Sequence, residues 1–350
     1  MFGGQEHTAS KVFSEIFDSN PGSQVLGRRI EGACSSGGLA LEASFNDVLA
    51  GISEDEDRIV MAGGFEKMTD KTTEEATKIL SAASDMGKEI GFTFPALYGL
   101  LKDRYLQETD AEEEDFDYIA VKSHKHASLN PRAQYSFEVS HDKVKNSFRV
   151  ASPTKVLNSS GIADGAASLI MTTQRKAEEL DTDYVLLEDI KGVNDSIALF
   201  EREDILTLVS TEKAAEQVYE STGLGPEDVD VAEVHDCFSI AEALALEDLG
   251  FSPKKEAWRW IKKSLSGCQD EEAPISYELP NNEELFVNTS GGLKAKGHPV
   301  GATGIAQAVE ITEQLRGEAG ERQVPNAEVG LTHNVGGSGG TAVVSLITKP

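Results

Sequence analysis

Two stretches of this chain, residues 39–45 (Leu-Ala-Leu-Glu-Ala-Ser-Phe) and 305–311 (Ile-Ala-Gln-Ala-Val-Glu-Ile), carry small and apolar residues nearly all round at helical spacing. A helix without a broad polar face has to be buried on more than one side. Each stretch directly follows a glycine-rich turn that holds a reactive side chain. The first turn is Gly32-Ala33-Cys34-Ser35-Ser36-Gly37-Gly38 and the second is Gly297-His298-Pro299-Val300-Gly301-Ala302-Thr303-Gly304. Two such helices predict a helical layer held between two sheets, with Cys34 and His298 at the helix starts.

The remaining pattern fits that layer. Short apolar runs at residues 29–33, 58–63, 167–172, 184–190, 229–234, 285–288, 329–332 and 341–348 read as strands. Residues 8–17, 39–50, 116–129, 207–222, 240–249 and 305–315 read as helices. Strands separated by helices predict a parallel-rich α/β fold. The polar, glycine-rich turn at residues 158–165 runs into an apolar strand, and residues 333–344 repeat that design. Residues 31–43 and 288–308 make a looser second pair. The duplication predicts two similar halves, residues 1–178 and 179–350. Residues 67–153 are less regular and mostly polar, which predicts an inserted loop domain near a substrate pocket.

Charge and cysteine content narrow the function. Asp and Glu number 60 against 32 for Lys and Arg, a formal net charge of −28. A phosphate backbone requires a basic patch, so nucleic acid is excluded as a partner. The acid is dispersed through the chain, the pattern of a carboxylate-covered surface that stays soluble at high salt. A salt-loving source is therefore expected. No apolar run is long enough to span a bilayer, and the first residues lack a secretory pattern. The expected setting is the cytoplasm, with no membrane partner. Three cysteines, Cys34, Cys237 and Cys268, make no disulfide framework. No pair has metal-ligand spacing, so no metal is expected.

A third reactive turn, His235-Asp236-Cys237-Phe238, completes a set of thiols and imidazoles suited to forming and breaking thioesters. With it the motifs Gly32–Gly38, Asn158–Ala167, Gly297–Gly304 and His333–Gly340 follow one another in an order that resembles the thiolases, and their sterol-carrier-protein-type and archaeal branch in particular. The resemblance covers essentially the whole chain. It implies a five-layered α-β-α-β-α fold and a homodimer or homotetramer. Two departures stand out. His235–Phe238 stands where many thiolases carry Asn-Glu-Ala-Phe, and His333-Asn334-Val335 stands where they carry Cys-x-Gly. Only 33 residues precede Cys34, so the first β-α-β unit of such a fold is expected to be missing.

The resemblance implies acyl transfer through a Cys34 acyl-enzyme, with CoA thioesters as substrates and no tightly bound cofactor. Cys34 is the expected nucleophile, its thiol pKa lowered by the helix start. His298 is the expected base for it. Cys237 or His333 is expected to move the α-proton of the second acetyl-CoA. His235 is expected beside an oxyanion, as a donor either directly or through water. The N–H groups of Cys34 and of Gly336 or Gly337 are expected to hold the acyl oxygen. Phe238, Asn158 and Ser290 are expected around the substrate, and Phe92 and Phe94 near its chain end. Basic residues within 122–132 and 143–149 are candidates for the CoA phosphates. His7, His124, His126 and His141 read as surface or loop residues, and Cys268 as inert. A zinc-ribbon/OB-fold protein and hydroxymethylglutaryl-CoA synthase are partners that the resemblance implies. A ketosynthase-type condensing enzyme, a related steroid side-chain aldolase and a non-catalytic acyl-CoA-binding subunit remain as alternatives.

Overall fold

The computed structural model describes residues 7–16, 25–280 and 284–350. Its strands are β1 Val60–Glu66, β2 Arg149–Ala151, β3 Thr154–Lys155, β4 Gly165–Met171, β5 Leu186–Asn194, β6 Val231–Glu233, β7 Ser276–Glu278, β8 Glu284–Val287, β9 Val329–Gly336 and β10 Thr341–Thr348. Its helices are α1 Thr8–Ile16, α2 Ser36–Ser53, α3 Thr73–Leu80, α4 Phe94–Glu108, α5 Asp117–Ser128, α6 His141–Lys145, α7 Gln174–Glu179, α8 Val209–Thr222, α9 Ser239–Asp248, α10 Ala257–Leu265 and α11 Thr303–Arg316. Part of the short front segment, residues 1–6 and 17–24, lies outside the described residues.

Alternation along a strand sends successive side chains to opposite faces of a sheet, and β10 uses both. Val343 and Ile347 point to a core shared with Leu41, Ile305 and Ile311. Ala342, Val344 and Leu346 point to the other core, with Ala214 and Val218 of α8. The six-stranded sheet runs β5-β10-β9-β6-β8-β7. Its centre, β9-β6-β8, is parallel, and its flanks are antiparallel. A second sheet pairs β1 with β4 antiparallel, and its inner face packs Ala62, Ala167 and Leu169 against the same helices. So α2 and α11 form a layer between two sheets. The outer face of β1–β4 exposes Met61, Phe65 and Ile170.

The two central helices touch backbone to backbone. A Cβ on Gly37 would lie 2.8 Å from Gly304 N, and one on Gly304 would lie 2.3 Å from Gly38 N. The glycines let the starts of α2 and α11 meet, and this brings the turns of Cys34 and His298 together.

Three sequence expectations need correction. Residues 29–33 form no strand. Glu31 folds back instead, accepting from the Ala33 N–H at 3.2 Å and the Ser36 hydroxyl at 3.1 Å. Ala33 then turns with φ +53°. Residues 67–153 are neither irregular nor polar throughout. They carry α3 to α6, and Tyr98, Leu101, Tyr105, Phe116 and Ile119 join the core that holds Cys237 and Phe238. His124 and His126 are buried on α5, and not at the surface. The His126 ring donates to the Asn288 carbonyl at 2.9 Å and accepts from the Ile275 N–H at 2.8 Å.

Overpacking a close backbone contact costs about 1–3 kcal/mol. Gly37→Ala is expected to lower the urea midpoint by a free energy in that range with an unchanged slope. An unshifted midpoint would show that α2 and α11 can separate without cost.

Candidate active site

Cys34 lies in the turn Ala33–Ser35 that leads into α2, and its side chain is buried. His298 precedes the short turn Val300–Ala302 at the head of α11. His235 and Cys237 follow β6, and His333 and Asn334 lie near the end of β9. Because β6 and β9 are parallel neighbours, these ends lie side by side. One α11 side chain ties them: Gln307 Nε2 donates to the Glu233 carbonyl at 3.1 Å and the His333 carbonyl at 2.9 Å.

Asn334 sets the geometry at the centre. Its Oδ1 accepts from the Gly38 N–H at 3.0 Å, and its Nδ2 donates to the Cys34 carbonyl at 3.0 Å. Those two contacts fix which end of the amide is which. The remaining Nδ2 proton faces His235 Nδ1 at 3.3 Å. His235 Nδ1 is therefore an acceptor, and its proton sits on Nε2. That Nε2 is buried and has no hydrogen-bond partner among the described residues. The His235 ring stands edge-on to His298, with centroids 5.0 Å apart. Atoms of Cys34, His235 and His298 able to bind a metal lie within 4.8 Å of one another. With Nε2 protonated, His235 brings a donor to that space and not a lone pair.

His298 has the opposite tautomer. Thr303 Oγ1 donates to the Pro299 carbonyl at 3.1 Å and so accepts from His298 Nδ1 at 2.7 Å. His298 Nε2 is left with a lone pair. Burial lowers the His298 pKa to about 4, against the pull of Asp236. Burial likewise holds His235 well below the usual histidine range and lowers His333 to about 3. All three rings are neutral at neutral pH.

The thiols are not the low-pKa groups expected from a helix start. Burial raises Cys34 to about 12, although a hydrogen bond from the Gly337 N–H opposes this. Burial also raises Cys237, again against a hydrogen bond, here from Tyr98. Desolvation outweighs the helix-start field in this water-poor site. Cys34 rests as a thiol and requires a base.

The other expected residues divide. The Gly337 N–H is directed at the Cys34 sulfur. His333 has both ring nitrogens engaged, Nε2 with Thr211 Oγ1 at 2.9 Å and Nδ1 with the His235 N–H at 3.5 Å. Phe238 stacks on Tyr98 at 4.6 Å. Asn158 and Ser290 are bonded into the scaffold. The Asn158 amide is held by Asp117 at 2.6 Å and Ser239 at 2.9 Å, and the Ser290 hydroxyl bonds Glu233 at 2.6 Å. Both lie inside the scaffold because each satisfies a buried carboxylate. Lys122, a candidate phosphate contact, is fully buried against Glu242. Phe94 is buried beside Tyr98, and Phe92 is about half exposed. Cys268 is fully buried in its own turn. Asp236 locks the two turns together: its carboxylate accepts from the Leu293 N–H at 2.7 Å and from Lys294 at 2.5 Å, just before His298.

Sequence reasoning missed three functional groups. Thr303 lies inside a quoted motif, and its spacing of five from His298 is a usable signal. Asn334 also lies in a quoted motif, but its three partners come from two distant segments, the Cys34–Gly38 turn and His235. Tyr98 carries no local signal.

A Cys34 pKa near 12 predicts that alkylation by iodoacetamide accelerates about tenfold per pH unit from pH 7 to at least pH 10. Peptide mass mapping would follow Cys34. A plateau below pH 8 would mean a stable thiolate and contradict the burial argument.

Comparison with known proteins gives the same grouping. Residues 16–150 match the thiolase N-terminal domain, and residues 192–349 match the thiolase C-terminal domain-like family. The chain is 42% identical to an acetyl-CoA acetyltransferase of Methanothermobacter thermautotrophicus, over 100% of this chain and 86% of that one. It is 40% identical to an acetyl-CoA acetyltransferase of Methanocaldococcus jannaschii, over 99% and 85%. Sterol carrier protein 2 of Rattus norvegicus is 34% identical over 89% of this chain and 56% of its own. The solved structure of an Ltp2-ChsH2(DUF35) aldolase superposes with a TM-score of 0.71 at 21% identity, over 91% of this chain and 78% of that one, which is a likeness of fold. The chain belongs to the thiolase family.

Proposed function

We propose that this protein is an acetyl-CoA acetyltransferase that joins two acetyl-CoA molecules into acetoacetyl-CoA and free CoA, and that also runs the reverse thiolysis. The observation that carries the reading is the opposed pair of histidine tautomers at one buried thiol. His298 Nε2 can accept the Cys34 proton, and His235 Nε2–H can donate to a thioester oxygen. Identity of 40% or more with two acetyl-CoA acetyltransferases over nearly the whole chain supports the same activity.

Each step then balances. The Cys34 proton passes to His298 as sulfur attacks the first thioester carbonyl, splitting one hard step into two. The N–H groups of Cys34 and Gly337 hold the acyl oxygen. The departing CoA sulfur takes the Cys237 proton, leaving a thiolate. A thiol whose pKa burial has raised is a strong base once deprotonated. The Cys237 thiolate removes an α-proton from the second acetyl-CoA. His235 Nε2–H and the protonated His298 stabilise the enolate oxygen. The enolate attacks the acetyl group on Cys34, the Cys34 sulfur leaves, and His298 returns its proton. His333, with both nitrogens occupied, positions His235 and moves no proton. That occupancy also weighs against a ketosynthase-type site, which requires two free histidines at the thiol.

No tightly bound cofactor or metal enters these steps. Lipid metabolism in the cytoplasm suits the chemistry, and free cysteines fit a reducing compartment. Among the described residues no helix is long and apolar enough to cross a membrane. A homodimer or homotetramer is in keeping with the apolar outer face of β1–β4. A zinc-ribbon/OB-fold partner and hydroxymethylglutaryl-CoA synthase belong to the same proposal. So does a salt-loving source, for which the exposed acidic runs at residues 54–56, 178–183 and 270–272 are the support.

Loss of the ketoacyl absorbance during thiolysis of acetoacetyl-CoA in molar KCl tests the activity. Cys34→Ala is expected to abolish turnover. His298→Ala and Cys237→Ala are expected to lose about 10²–10⁴-fold, and His235→Ala about 10²–10³-fold. A folded wild type without turnover, or full activity in Cys34→Ala, would sink the reading. Salt adaptation predicts a melting temperature that rises between 0.2 M and 2 M KCl as carboxylate repulsion is screened. A flat or falling curve would remove that part.

A further inference from the structure

Tyr98 belongs to none of the sequence motifs, yet it reaches both thiols. It projects from α4 in the segment read from sequence as a loop domain, and it is 2% exposed. Its hydroxyl donates to the Gly337 carbonyl at 3.3 Å and stands within hydrogen-bonding reach of Cys237 Sγ. Its ring stacks on Phe238, the neighbour of Cys237, at 4.6 Å and 22°. Gly337 in turn gives its N–H to the Cys34 sulfur. One peptide therefore separates the phenol from the nucleophile. Gly337 is held at φ +65°, and a Cβ there would lie 2.5 Å from the Ala83 carbonyl. Only glycine fits this position.

We propose that Tyr98 is the positioning residue of the second thiol, turning its single proton between two acceptors as Cys237 loses and regains its own. While Cys237 is a thiol, the phenol donates to the Gly337 carbonyl and can accept from the S–H. Once Cys237 has given up its proton, the phenol turns to donate to the sulfur. No covalent bond changes in the phenol, and no proton leaves it. Burial keeps the Tyr98 pKa well above its usual value, so the phenol remains a donor throughout. The stacked ring limits the motion to rotation of the hydroxyl. Besides Cys34, the charged groups that bear on Cys237 are Asp236 and Lys294, which are paired with each other, so the phenol is its adjustable partner. A hydrogen bond to the ionised form favours that form. The catalytic part of this inference rests on the acetyltransferase reading above, while the hydrogen bond itself does not.

The test uses Tyr98→Phe, which keeps the stacked ring and removes the hydroxyl. In a Cys34→Ala, Cys268→Ala protein, Cys237 is the one remaining cysteine. Its iodoacetamide alkylation is followed against pH with and without Tyr98→Phe. The expected result is a curve displaced to higher pH by about one unit, equal to tenfold less thiolate at a given pH. The matching control is a Cys237→Ala, Cys268→Ala protein, in which the Cys34 curve moves much less. In the otherwise native chain, exchange of acetyl-CoA methyl protons in deuterated water is expected to slow about tenfold. An unmoved Cys237 curve, or equal displacement of both curves, overturns the proposal, the second because it marks a general structural effect. A displaced Cys237 curve in a protein with no turnover would leave the Tyr98 contact standing and reject the acetyltransferase reading instead.

Discussion

One buried amide holds the site together. Asn334 accepts from the Gly38 N–H, donates to the Cys34 carbonyl and donates again to His235. It thereby joins the first turn of α2, the nucleophile turn, the end of β9 and the turn after β6. Each bond also carries information. The backbone contacts orient the amide, the oriented amide makes His235 Nδ1 an acceptor, and that puts the proton on the buried, unpartnered Nε2. The tautomer of a histidine is thus set by a glycine N–H nearly 200 residues away in sequence. The close approach of α2 and α11 at Gly37 and Gly304 is what brings Gly38 within reach of Asn334.

The rest of the site follows from exclusion of water. Burial lowers the pKa of each histidine and raises that of each thiol, so the resting site is neutral. Neutrality removes the electrostatic cost of burying the nucleophile. It also means that charge appears only as reaction proceeds, where the Gly337 N–H and the His235 Nε2–H already stand as donors. Preorganised donors in a dry site need no rearrangement when charge develops. The permanent charges are kept in pairs beneath the floor. Asp236 with Lys294 ties the turn of Cys237 to the segment before His298, and Lys122 with Glu242 ties α5 to α9. Removing one member of such a pair leaves a buried charge without a partner, which is why they fix geometry more firmly than they add stability.

Much of this was legible in the chain. The all-round apolar character of residues 39–45 and 305–311 gave the central layer, because such helices have no face for water. Short apolar runs located most strands of both sheets. The glycine turns marked Cys34 and His298, since reactive side chains on tight turns need small neighbours, and the His-Asp-Cys-Phe run marked His235 and Cys237. Local rules failed where a distant partner decided the outcome. Residues 29–33 have a strand-like composition, but Glu31 caps the following turn instead. His124 and His126 look polar, but α5 carries them into a core with waiting backbone partners. Asn158 and Ser290 lie in or beside conspicuous motifs, but buried carboxylates claim their polar atoms.

Sequence by itself determined the reagents: a thiol on a turn, a second thiol, and imidazoles on glycine-rich loops, set at the ends of alternating strands and helices. Residue type and local spacing suffice for that. Only the tertiary structure decided their states. Which histidine accepts and which donates depends on hydrogen bonds to Thr303 and Asn334. Whether a thiol rests protonated depends on how much water the packed core excludes. That Tyr98 meets Cys237 depends on α4 docking against the turn after β6. Protonation and tautomer are properties of an environment, and here the environment of each group is built from segments far apart in the chain.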